Sequence, residues 1–224
     1  MVYINKLRES MLAHPGRVKL LLAIFFSVGL AGFSIPSTRE FFMHLTPFAI
    51  LLSIFVLFLY QVPFPDGKTL IIFTAIIVST WLIEAAGVAS GMIFGNYSYG
   101  EGLGIKLLET PLLIGINWLL MIYTSSCIAA SITHNPVLNV LSASSLMVFY
   151  DFIMENISAD LDMWSFDDGM PPLRNYLAWF IIAAVIHTVL KIAGIRFNNR
   201  IASYIFFLQA AFFTLLILIF RISR

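Results

Sequence analysis

The chain has 224 residues, of which 60% are hydrophobic and 11% charged, with a formal net charge of +1 and a mean hydropathy of +0.93. A soluble domain of this size carries roughly a quarter charged residues, so the composition excludes a soluble fold and predicts an integral membrane protein. The near-neutral balance leaves no basic field for nucleic acid.

In chain order, residues 1–17 are polar, with Lys6, Arg8 and Arg17. The first apolar run, 18–35, ends at Pro36. A basic start before an apolar stretch fits a signal peptide, but six further runs follow, and a retained anchor is the reading preferred. Those runs are 42–60, 69–90, 111–132, 137–157, 176–193 and 201–220. Each approaches the ~20 residues a helix needs to cross the hydrocarbon core. Alternation at period two is absent, which excludes a β-barrel. The expected fold is therefore all-α: one polytopic membrane helical bundle over 1–224, with about seven transmembrane helices. Cys127 lies in an apolar run, has no second cysteine to pair with, and reads as a buried structural thiol.

Lysine and arginine in the connections set the orientation. With the N-terminus inside, that face holds Lys6, Arg8, Arg17, Lys19, Lys68, Lys191, Arg196 and Arg200, against Arg39, Lys106, Arg174, Arg221 and Arg224 on the other. The bias favours a cytoplasmic N-terminus in a cell (plasma or inner) membrane. The two long connections, 91–110 and 158–175, then share the outer side.

Those connections contain an internal match. Glu84 precedes Tyr97-Ser98-Tyr99 by thirteen residues, and Asp151 precedes Trp164-Ser165-Phe166 by the same interval. Pro111-Leu112 stands seven residues before Trp118, and Pro172-Leu173 seven before Trp179. The match is either a parallel internal repeat, helices three and four against five and six, or a coincidence in an aromatic-rich chain. A repeat makes Glu84 and Asp151 equivalent groups facing one cavity.

A carboxylate inside a membrane-length apolar run is costly and usually functional. Glu84 lies in the third run, and Asp151 and Glu155, four apart, share one face of the fifth. No lysine or arginine within those runs neutralises them. Close, unneutralised carboxyls retain a proton between them, which suits a general acid. The bland readings are an interhelical hydrogen bond for Glu84 and a solvated helix end for Glu155. For Asp160, Asp162, Asp167, Asp168, Glu101 and Glu109 solvated loop charge is the default. His14, His44, His134 and His187 are scattered without metal-ligand spacing, so no metal is expected. The glycines at 91, 95, 100, 102 and 104 follow no strand, which argues against a nucleotide fingerprint and for a closely packed loop. Trp81, Tyr97, Tyr99, Trp118, Trp164, Phe166 and Trp179 suit an interfacial belt. Their clustering around the acids also suits a cation site. A proton donor, an aromatic wall and an apolar cavity fit a lipid bearing an electron-rich double bond. Protonation gives a tertiary cation, and water or a second alkene captures it.

At these residues the chain resembles the membrane carotenoid-biosynthesis proteins that include the carotenoid 1,2-hydratases and bisanhydrobacterioruberin hydratase. The resembling segments are Glu84 with GMIFGNYSYGEGLG, Pro111 to Trp118, Asp151-Phe152-Ile153-Met154-Glu155, Trp164-Ser165-Phe166, and Pro172, Asn175 and Trp179. One departure is visible: the family pattern carries an acid–proline pair where this chain has Glu155-Asn156. The resemblance implies cofactor-independent hydration of the acyclic end of a carotenoid, its C1=C2 bond becoming a C1 tertiary alcohol. It also implies a bilayer-dissolved carotenoid substrate and other carotenoid-pathway enzymes as partners. From the chemistry, Asp151 or Glu84 is the expected proton donor and the other acid holds the water, with Glu155 tuning both. Tyr97, Tyr99, Trp118, Trp164 and Trp179 would bind substrate, and Asn175 would position water. The rival readings are a lycopene-type cyclase using the same cation, and a proton-coupled transporter or lipid-binding protein. Product mass separates the first; absence of any altered pigment marks the second.

Overall fold

A computed structural model describes residues 8–9 and 11–222; Lys6 and Arg224, used above for orientation, lie outside the described residues. The elements run α1 (Pro15–Ser34), α2 (Pro36–His44), α3 (Thr46–Tyr60), α4 (Gly67–Ser90), β1 (Tyr97–Tyr99), β2 (Lys106–Leu107) and β3 (Thr110–Pro111). Then follow α5 (Leu113–Ile132), α6 (Pro136–Glu155), a 3-10 turn at Ala159–Leu161, β4 (Trp164–Phe166), α7 (Leu173–Ile192) and α8 (Ala202–Ile222).

Local chemistry explains the boundaries. Proline occupies the first turn of α1, α2, α3 and α6, where its missing N–H costs nothing. Asp66 caps α4 by accepting the Thr69 N–H at 2.8 Å, and the Asn135 side chain accepts from Val137 and Leu138 at the start of α6. Gly91, with φ of 63°, closes α4 in the left-handed conformation.

Among the described residues six helices are long and apolar enough to cross a membrane, and counting the bent pair α2–α3 as one span brings the number to seven. The run expected at 42–60 is divided between α2 and α3. Its two helices meet at 51°, because a proline in the first turn of α3 breaks the hydrogen-bond ladder that would join them.

Helix α5 is the hub. In its most apolar window 78% of residues are buried, against 28–44% in the other spans, and it packs on α3, α4, α6, α7 and α8. Where it crosses α4, a Cβ on Gly115 would lie 2.3 Å from the Ile77 carbonyl oxygen, so only glycine permits the approach. Ile71, Leu82, Phe149, Phe152, Ile181 and Val185 project outward from the bundle as the faces lipid would cover. Basic groups gather at both ends. Arg8 donates to the Leu59 and Gln61 carbonyls and Lys68 to that of Ala193 at one end. At the other, Arg39 stacks on Phe220 and Arg221 donates to Asn156.

The two long connections meet at this second end. Strands β1 and β4 pair antiparallel, Tyr97 with Phe166, Ser98 with Ser165 and Tyr99 with Trp164. Gly100 and Gly102 let the β1 connection lie against the turn before β4, since Cβ atoms there would sit 2.4 Å and 2.5 Å from the carbonyl oxygens of Asp162 and Leu161. Asp162, expected to be merely solvated, accepts the Glu101 N–H at 2.9 Å and fixes that approach.

Candidate active site

Glu84 sits in the last two turns of α4, 3% exposed, and three donors converge on it. The Tyr97 and Tyr99 hydroxyls donate to Oε2 at 2.7 and 2.9 Å, and the Trp118 indole N–H donates to Oε1 at 2.8 Å. An indole N–H can only donate, so Oε1 is held as an acceptor. Burial, and then the Glu84 carboxyl beside them, push both phenols above the usual tyrosine range. They therefore remain neutral O–H donors.

Asp151, 2% exposed, and Glu155 project from one face of α6 near its C-terminus. The Asn175 amide, in the first turn of α7, spans them, donating to Asp151 Oδ2 at 3.0 Å and to Glu155 Oε1 at 3.2 Å. The Trp164 indole N–H donates to Glu155 Oε2 at 3.1 Å. Glu155 is thus a half-buried, doubly bonded group and not a solvated helix end. Among the described residues no lysine or arginine forms an ion pair with any of the three acids.

All three carboxyls line one cleft of about 20 Å³, together with Phe94, Tyr97, Tyr99, Ile114, Asn117, Tyr150, Met154, Trp164, Phe166, Asn175 and Trp179. Trp118 and Trp179, the two tryptophans matched in the sequence, stack with centroids 3.9 Å apart and planes 15° apart. Trp118 reaches Glu84 while Trp179 forms the cleft wall. The aromatic wall is continuous, with centroid separations of 5.4 Å for Tyr97 and Tyr99, 5.5 Å for Tyr97 and Phe166, and 6.4 Å for Tyr99 and Trp164.

The strand register and the tryptophan stack have the form that exchange of the two matched halves would give. Exchanging the halves carries the Tyr97–Phe166 pair into the Trp164–Tyr99 pair and the tryptophan stack into itself. Glu84 and Asp151 accordingly share one cleft.

A model of the carotenoid biosynthesis protein family matches residues 45–222. The chain belongs to that family. No curated protein and no solved structure among those compared matches it. The family match begins at the break between α2 and α3 and contains every acid and aromatic of the cleft.

A second cavity, of about 220 Å³, lies against the first. Its lining is largely apolar and includes Phe25, Phe26 and Phe33 of α1, Phe42, Ala49 and Ile50 of the bent pair, and Phe212 and Phe213 of α8. Asn117, Tyr150, Met154 and Trp164 line both spaces and form the shared wall. Exposed Val28 and Leu45 border the larger one, so it reaches the outside of the bundle between α1 and the α2–α3 break.

The residues singled out from sequence meet here, with two adjustments. Asn175 bridges two acids with its amide and is committed to them. Trp81 does not line the cleft; its indole N–H is buried without a hydrogen-bond partner among the described residues. Phe94, Asn117, Tyr150 and Met154 were missed. For Asn117 a signal existed, since an amide within an apolar run is costly for the same reason as Glu84. Glu155-Asn156, the departure from the family pattern, ends α6 without proline: the Asn156 side chain donates to Phe152 O at 2.8 Å and accepts from Arg221.

Proposed function

We propose that the protein adds water to the terminal C1=C2 bond of an acyclic carotenoid end, giving a C1 tertiary alcohol. The observation that carries this reading is the pairing of two spaces of different size and polarity. An apolar cavity reaching the outside of the bundle can take the end of a hydrocarbon chain. At its inner wall the acidic cleft of about 20 Å³ has room for one water, which needs ~10–15 Å³. Ring closure would instead need the chain to fold back over the acids, and the cleft is too small for that.

Asp151 gives its proton to C2, and the tertiary cation forms at C1. The faces of Tyr99 and Trp164 stabilise that cation. Water adds its lone pair to C1, and Glu84 removes a proton from the oxonium to leave the alcohol. The roles divide by hydrogen bonding. Glu84 has three fixed donors, an environment built for an acceptor; Asp151 shares Asn175 with Glu155, and a second carboxyl beside it favours holding one proton between the pair. The proton returns from Glu84 to Asp151 before the next turnover. The same reading puts the N-terminus and the Lys68, Lys191 and Arg196 end on the cytoplasmic side.

Expression with an acyclic carotene, followed by mass analysis of extracted pigments, tests this. A product heavier by one water is expected. A product of unchanged mass and altered absorption means a cyclase, and unaltered pigment with good membrane expression removes the enzymatic reading.

A further inference from the structure

We infer that Asn117 holds the water that captures the cation, and so decides whether protonated substrate becomes an alcohol. This rests on the hydration reading above. Four residues form the wall shared by the chain cavity and the acidic cleft, and the hydrogen-bond donors of two of them are already engaged. Met154 is apolar. The Tyr150 hydroxyl donates to Gln209 Oε1 at 3.4 Å, and the Trp164 N–H is used on Glu155. Asn117 is half-buried, and among the described residues no hydrogen bond engages its side-chain amide. An uncommitted amide facing a cavity inside a membrane bundle is costly unless something occupies it. It offers an acceptor to orient a water O–H and a donor to support the oxygen, between the position of C1 and the acids.

Close packing of its neighbours fixes the backbone at this position. Asn117 is in the first two turns of α5, two residues after Gly115, whose contact with Ile77 admits no side chain, and beside Trp118, clamped between Glu84 and Trp179. Neither neighbour can move without breaking the α4–α5 crossing or the tryptophan stack. The amide is therefore preorganised, as a water-positioning group must be.

Without a bound water the cation gives a proton back to Glu84. Loss from a methyl group on C1 yields an alkene isomeric with the substrate, and loss from C2 regenerates the substrate. In D2O the acid delivers deuterium to C2, so this isomer is one mass unit heavier than substrate.

The experiment compares wild type, Asn117→Leu and Asn117→Ser in membranes with an acyclic carotene in D2O. The expected result is that Asn117→Leu makes at least tenfold less alcohol while still forming deuterated alkene, and that Asn117→Ser, which restores a hydroxyl, recovers alcohol. Alcohol formation by Asn117→Leu within threefold of wild type overturns the inference. So does a parallel loss of alcohol and deuterium incorporation in Asn117→Leu that Asn117→Ser fails to reverse, which indicates a structural role. Wild type that neither hydrates nor exchanges refutes the hydration reading itself, an outcome distinct from both.

Discussion

Replacing Glu84 with Gln tests the assignment of the base with little change of shape. The amide oxygen can keep the Trp118 N–H, now at 2.8 Å. The amide nitrogen then faces the Tyr97 and Tyr99 hydroxyls, now at 2.7 and 2.9 Å, and each can rotate to accept. With Glu84 ionised, as its proposed role as base requires, three hydrogen bonds to a charged acceptor become three neutral ones, a loss of about 1 kcal/mol each, and this is offset by no longer burying a charge. Net stability therefore changes by no more than about 2 kcal/mol, a few degrees in the thermal midpoint of the detergent-solubilised protein. Catalysis loses its proton acceptor, which lowers turnover by about 10²–10⁴-fold. The assay is alcohol formed per unit of membrane-embedded protein, with thermal unfolding measured on the same preparations. Turnover within threefold of wild type refutes the role of Glu84 as base. A midpoint lowered by more than ten degrees refutes the argument that its donors can rearrange.

Asp151→Asn removes the proton donor and should abolish deuterium incorporation along with hydration, by about 10²-fold or more; Glu155→Gln should cost about tenfold, since it alters the pair and not the donor. Tyr99→Phe removes one of two hydroxyls from Glu84 Oε2 at a cost of about 1–3 kcal/mol, seen as slower turnover with normal pigment binding. Ala49→Phe fills the apolar cavity that Ala49 lines and should lower turnover about tenfold, with the unfolding midpoint unchanged; unimpaired activity places the chain elsewhere. Gly102→Ala forces a Cβ to within 2.5 Å of the Leu161 carbonyl and should destabilise by about 1–3 kcal/mol, read as a lower midpoint.

The spans and the acids were legible in the sequence because the bilayer sets a strict rule: about 20 apolar residues per crossing, with each intramembrane carboxyl conspicuous by its cost. Glu84, Asp151 and Glu155 could be picked out for that reason, and the equal thirteen-residue intervals joined their loops. What hydropathy cannot carry is direction within a helix. Asn117 and Tyr150 stand beside Trp118 and Asp151 in the chain, and only packing shows that both border two cavities. Asn175 was noticed, but its commitment to two acids depends on where α7 starts relative to α6. The break at the start of α3 was written in Pro47, yet a proline near a span end reads equally well as a first-turn residue. An apolar cavity was expected beside the acids, but not its lining, because phenylalanines on α1 and α8 look the same whether they face lipid or a void.

In the proposed mechanism the departures from the match between the halves carry the chemistry. Strand pairing and the tryptophan stack keep the halves equivalent, and a cleft that were equivalent throughout would present two acids with the same surroundings and the same proton affinity. Such a pair has no reason to give a proton from one side and accept it on the other. The chain breaks the equivalence at its second layer. Sixty-one residues separate matched positions such as Trp118 and Trp179. At that spacing Asn175 answers to Ile114; at the 67-residue spacing of Glu84 and Asp151, Glu155 answers to Val88, and Trp164 and Phe166 to Tyr97 and Tyr99. One half therefore surrounds its acid with two phenols and an indole. The other gives its acid a second carboxyl and an amide between them. In the proposed mechanism the matched frame holds the acids at equivalent positions, and the unmatched residues make one an acceptor and the other a donor. Adding water across a double bond requires both roles at once. Exchanging these surroundings, by placing Asn at Ile114 and Ile at Asn175, should disable the site even with all three carboxyls retained.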